Sequence, residues 1–279
     1  MGDTSLTPPD LASKKIAALA ENIADKYCPR GTVLPEVIIS GEGIGLTYGR
    51  YGAEFDGIID YTERGFHIRC NLDRENLPGS PRGRFTLAHE LGHYFIDDHR
   101  TEIMATGGEL HPSICEIPKG QSRREQESNL FASNLLMPPK RYAAFVRKAR
   151  KRLSGIVDVA GKFKVSLTCA AIRYVTDEIE PSIIVNWSRD GDRWDCISKR
   201  FQSAEYGALI NNMAGLPANS PTRICDAMGK TRSGVIGQKM APNVWFPSLN
   251  RKPDSKIKLR EEAMSLGRYG VLTLLTIVT

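Results

Sequence analysis

The sequence predicts an α+β protein in two parts, and three observations predict it. Helical periodicity runs from Asp10 to Lys26 and returns between Arg82 and Asp177. Short strand runs punctuated by glycine lie between Val37 and Asn71, and strand patterning resumes after Pro181.

The first helix is carried by Leu11, Ile16, Leu19, Ile23 and Tyr27, spaced to share one face, and Pro29 and Gly31 stop it. From Val37 to Asn71 the chain reads as strand, with runs at Gly45–Tyr48, Gly57–Tyr61 and Phe66–Cys70. Asn71–Arg84, with Pro78, Gly79, Pro81 and Gly83, reads as a loop. A helix is expected from about Arg82 to Asp97, and a long irregular loop over the neighbouring site from Arg100 to Gln121. Ser122–Met137 reads as a helix ended by Pro138 and Pro139, and a further helix runs from Lys140 towards Leu153. Residues 156–177 read as two short helices around a turn, like a helix-turn-helix, with Ser166 as the second helix's N-cap. Beyond Pro181, Ile183–Trp187 and Trp194–Ser198 flank a hairpin turn, and Val271–Val278 reads as a buried strand. The expected division is a domain over 1–178 and a smaller α/β domain over 179–279, which has room for a sensory or regulatory role.

Composition narrows the class. The 279 residues are 41% hydrophobic and 25% charged, with no apolar run long enough for a membrane-spanning helix. The polar N-terminus is unlike a secretory signal, and the six cysteines are scattered without paired spacing. A cytoplasmic protein with reduced thiols is therefore expected, and its cysteines are not expected to hold metal. The net charge of +6 sits beyond Pro181, where 14 Lys and Arg face 8 Asp and Glu; Lys140–Arg152 adds a local basic face.

The chemistry is concentrated in Phe85-Thr86-Leu87-Ala88-His89-Glu90-Leu91-Gly92-His93. Histidines at i and i+4 share one helix face, so both imidazoles can reach one ion. Glu90 follows the first of them, where a carboxylate can take a proton from a water that zinc has acidified. Three residues compete as third ligand. His99 matches the metzincin interval, but Ile96 stands where that motif needs glycine, so the helix is expected to continue and carry His99 away. Glu125 is favoured, because it opens an i, i+4 pair with Asn129 on a second helix; Glu127 is the fallback. Tyr94, His99, His111 and Tyr142 are candidate oxyanion donors. Strand Phe66–Asn71 is a candidate surface for strand addition by an extended substrate.

Together, Arg84–His93, Glu125-Gln126-Glu127-Ser128-Asn129-Leu130-Phe131-Ala132 and Leu135-Leu136-Met137-Pro138 resemble the ImmA/IrrE metallopeptidases, over about residues 10–178. Ser128 stands where that family usually has alanine or cysteine. The resemblance implies a zincin-like fold, a helix bundle beside a small twisted sheet, with His89, His93 and Glu125 as metal ligands and Glu90 as the catalytic base. It implies Zn²⁺ as cofactor, with Mn²⁺ or Fe²⁺ as alternatives for the same donors. It also implies a protein substrate: a helix-turn-helix repressor cut at one site, inducing genes of a mobile element or a stress response. Direct DNA binding and membrane association are not expected, and nothing in the sequence sets an oligomeric state. Two other readings compete: a DNA-binding regulator using residues 156–177, and a metal-binding module that sequesters a partner without turnover.

Overall fold

The computed structural model describes residues 11–105, 111–113, 122–191, 193–203, 215–229, 231–247 and 258–278. These form an α+β protein whose contacts divide it into two compact units. One takes the described residues of Met1–Lys148 with Val159–Ser166, and the other takes Ala149–Asp158 with the rest from Leu167 onward.

In the first unit, α1 (Leu11–Tyr27) packs on α5 (Arg123–Leu136), and α5 packs on α3 (Pro81–Phe95). Their shared core holds Ile16, Ala20, Ile23, Leu87, Ala88, Leu91, Phe131, Ala132 and Leu135, all buried at helical spacing. A four-stranded sheet lies against α3 in the order β1-β3-β2-β4. β1 (Gly45–Gly49) runs parallel to β3 (Gly65–Asn71), while β2 (Gly57–Thr62) is antiparallel to both β3 and β4 (His111–Ser113).

Four expectations for this unit are corrected. Residues Val37–Gly41, read as the start of the strand region, belong to helix α2 (Pro35–Gly41): Pro35 sits in its first turn, where a missing N–H costs nothing, and Ile38 and Ile39 are buried. The helix of the histidines does not run to Asp97. It ends at Phe95, Ile96 turns extended (φ −81°, ψ 113°), and a new helix α4 spans Asp97–Ala105. Arg100–Gln121 is thus not one irregular loop, since α4 takes its start and β4 takes Gly57, Ile58 and Ile59 as partners; 106–110 and 114–121 lie outside the described residues. The basic run after Pro138 is two helices, α6 (Pro139–Val146) and α7 (Arg152–Phe163), with Arg152 at φ 66°.

In the second unit, α8 (Leu167–Thr176) packs on β5 (Ser182–Trp187) and β6 (Arg193–Ile197). The sheet is five-stranded and antiparallel, in the order β6-β5-β9-β8-β7, with β7 at Ile236–Met240, β8 at Lys258–Ser265 and β9 at Val271–Val278. Ile183, Val185, Phe201, Trp245, Phe246, Leu259 and Leu275 form its core. β8 reads as a charged segment yet is mostly buried, because its acids are partnered. Glu261 accepts hydrogen bonds from the Thr222 backbone and hydroxyl and from the Trp245 indole, at 2.6–2.7 Å.

Candidate metal centre

The two histidines are presented by α3, whose start is locally encoded. Pro81 occupies the first turn and the Ser80 hydroxyl accepts from the Gly83 amide at 3.0 Å. From there the helix is buried on all sides from Thr86 to His93, which encloses His89, Glu90 and His93. α5 begins the same way, with Ser122 accepting from the Glu125 amide at 3.3 Å. Ser122-x-x-Glu125 reads as a capping box, but the Glu125 carboxylate is engaged by the histidines instead.

Close approach of α3 and α5 brings these groups together, and it requires small residues. A Cβ on Gly92 would lie 3.0 Å from the Ser128 Cα and 3.2 Å from its carbonyl oxygen. With that crossing, His89 Nε2 stands 3.1 Å from Glu125 Oε2, and His93 Nε2 stands 3.2 Å from Glu125 Oε1. The two Nε2 atoms are 3.1 Å apart. Among the described residues, His89, His93 and Glu125 form the group of donors close enough to share one ion.

The donor set fits a metal. A tetrahedral ion with bonds of about 2.0–2.1 Å spaces its donors by about 3.3 Å, close to the triangle seen here. Glu125 Oε2 lacks a hydrogen-bond partner of proper geometry although His89 is near. Atoms so placed converge on one point, as the ligands of one ion do. His89 Nδ1 donates to Asn129 Oδ1 at 2.9 Å, which leaves Nε2 as the nitrogen with the free lone pair.

The electrostatics agree. Burial, with the charge of His89, drives His93 down to about 4, so it is neutral at pH 7 and able to ligate. Burial opposes ionisation of Glu125, but the hydrogen bonds and charges of His89 and His93 hold its carboxyl well below the usual range. His89 is raised: burial works against its charge, and Glu125 and Glu90 outweigh that. A cation entering this group would compete with a proton for His89 Nε2.

Glu90 is fully buried beside the triad, and its carboxyl oxygens lack a hydrogen bond of proper geometry among the described residues, with the Ser113 side chain facing them from β4. Burial pushes it up to about 7, against the opposing charge of His89. Gly57 on β2 makes the room, since a Cβ there would meet Glu90 Oε1 at 2.7 Å and Thr86 Cγ2 at 2.6 Å. Sequence reasoning missed Gly57; its place in β2 becomes informative only once α3 is laid under the sheet.

The remaining candidates lie elsewhere. Glu127 turns from the triad, accepting from Arg123 at 2.7 Å and facing His99 Nε2 at 3.1 Å. His99 is not carried off along a continuous helix: the break at Ile96 returns it, buried, with its ring centroid 5.2 Å from that of His93. Tyr94 donates to Glu42 at 3.2 Å, Tyr142 packs near Phe163, and the His111 side chain lies outside the described residues. β3 is interior, paired on both edges, so Phe66–Asn71 has no free edge for a substrate strand; β4 is the sheet edge beside Glu90. Cys70 carries no thiolate for a metal, because burial pushes its thiol up to about 12.

Comparison with known proteins gives three findings. A solved Mycobacterium tuberculosis transcriptional regulator is similar over 95% of this chain and 88% of that chain, with a TM-score of 0.57 and 16% identity, a likeness of fold. None of the curated proteins compared matches the chain. Residues 76–174 match the family model of the IrrE N-terminal-like domain, peptidase M78, which spans α3, α5 and all four residues of the site. Residues 76–174 are thus similar to an IrrE N-terminal-like peptidase domain.

Proposed function

We propose that the chain is a zinc-dependent endopeptidase that cuts a protein partner at one site, and that the partner is a helix-turn-helix transcriptional repressor. The observation that carries this reading is a buried Glu90, outside the ligand set and not in an ion pair among the described residues, beside a donor triangle of His89, His93 and Glu125. A site that only stabilises the fold closes its coordination with protein ligands and needs no free carboxyl next to it. Zinc bound there supplies a Lewis acid and lowers the pKa of a water to about 7. Glu90 takes the proton of the attacking water and returns it to the leaving amine. With a cation held by His89, His93 and Glu125, the ionised Glu90 that a base needs would be favoured.

The peptidase family supports a protein substrate, and the fold neighbour's name, a transcriptional regulator, supports one in transcription. Reading DNA through α8 has little support: Arg173, its one long polar side chain, is buried and paired with Asp177 at 2.7 Å. Among the described residues no helix is long and apolar enough to cross a membrane. The test is co-expression of wild type and Glu90→Gln with a repressor encoded beside this gene, followed by intact mass. A single cut with wild type and none with Glu90→Gln supports the reading. An uncut repressor that stays bound to both supports the sequestering module instead.

A further inference from the structure

We propose that His99 is a positioning residue of the metal centre, bracing the ring of His93. The inference rests on the metal-site reading above and concerns a residue outside the ligand set.

The two ligand histidines are held in different ways. His89 is oriented by a hydrogen bond through Nδ1 to Asn129. His93 is equally buried, but its Nδ1 has no hydrogen-bond partner among the described residues. Its ring must therefore be fixed by packing, and two rings pack on it: His89 at 4.9 Å and His99 at 5.2 Å between centroids.

His99 reaches that place only because α3 breaks. Six residues along an uninterrupted helix turn a side chain by about 240° from His93, onto another face. The extended conformation of Ile96 redirects the chain, and α4 brings His99 back. Both of its nitrogens are then committed. Nε2 donates to Glu127 Oε2 at 3.1 Å, and Nδ1 faces the Ser128 hydroxyl at 3.4 Å. Arg123 holds the other Glu127 oxygen at 2.7 Å. With no lone pair to spare, His99 does not ligate; its ring is clamped to α5 and supports the neighbouring ligand.

Two substitutions separate ring contact from hydrogen bonding. His99→Gln removes the ring and keeps polar atoms, while His99→Phe keeps a ring and removes them. Zinc affinity is read by competition with a chromogenic chelator, ligand geometry by the visible absorption of the cobalt(II)-substituted protein, and folding by melting of the metal-free protein. The expected result is about tenfold or weaker zinc binding and an altered cobalt spectrum for His99→Gln, with His99→Phe within about threefold of wild type. Unchanged zinc affinity and cobalt spectrum in His99→Gln overturn the proposal, even if its metal-free melting falls. Weaker zinc binding in His99→Phe than in His99→Gln overturns it too. Failure of the wild type to bind zinc would instead refute the metal site itself.

Discussion

Gly92 of α3 and Ser128 of α5 meet at the crossing of the two helices, with little room for an added carbon: a Cβ on Gly92 would stand 3.0 Å from the Ser128 Cα. Glu125 lies one helical turn before Ser128, so the separation of the helices sets the distance from carboxylate to imidazoles. Gly92→Ala is expected to cost about 1–3 kcal/mol of stability, because the opposing atoms are backbone and cannot rotate away. Zinc binding should weaken as well. Denaturant unfolding of the metal-free protein and zinc titration check the two effects separately.

Gly57→Ala should separate binding from turnover. The new methyl group would collide with Glu90 Oε1 and Thr86 Cγ2 while touching no ligand. Zinc content is expected to stay at the wild-type level, and repressor cleavage to fall on the order of a hundredfold, as for a misplaced catalytic group. Loss of zinc together with activity would show that Gly57 supports the ligands instead.

Asn129→Ala removes the acceptor for His89 Nδ1. Zinc affinity is expected to drop about 10- to 100-fold, the usual effect of losing such a partner, whereas Asn129→Asp should retain it. Competition with a chelator measures both.

Asp56 gives the acid limb of stability. Its buried carboxylate accepts from Asn76 at 2.9 Å and Arg82 at 2.7 Å. Burial alone would raise its pKa, but these partners outweigh burial and lower it. A carboxyl lowered by folding stabilises above its unfolded pKa of about 4, and that contribution is lost as pH falls through the folded value. Asp56→Asn should cost about 2 kcal/mol at pH 7, the order for charge-assisted hydrogen bonds, and should flatten the loss of stability below pH about 4. Unfolding curves from pH 7 to pH 3 test this.

Legibility followed the range of the interactions. The clustering of His89, His93 and Glu125 could be anticipated because His89 with His93, and Glu125 with Asn129, sit at i and i+4, so a local pattern already places each pair on a common face. α1, α3, α5, β1 to β3 and the β5–β6 hairpin were readable for the same reason. α2 was not, since seven residues rich in isoleucine are too short to show a period and read as strand. β8 was missed because its glutamates look solvent-facing until Thr222, Trp245 and Arg260 are beside them. His99 and Gly57 gain their places near the site from the break at Ile96 and the sheet over α3, relations between segments that no single stretch records.

Whether His89, His93 and Glu125 hold a zinc ion is decided by zinc content together with zinc-edge X-ray absorption of the purified wild-type protein. The account predicts one zinc per chain, two imidazoles and otherwise oxygen in the first shell. Sulfur or a third imidazole in that shell, or a protein that retains no zinc, would contradict it.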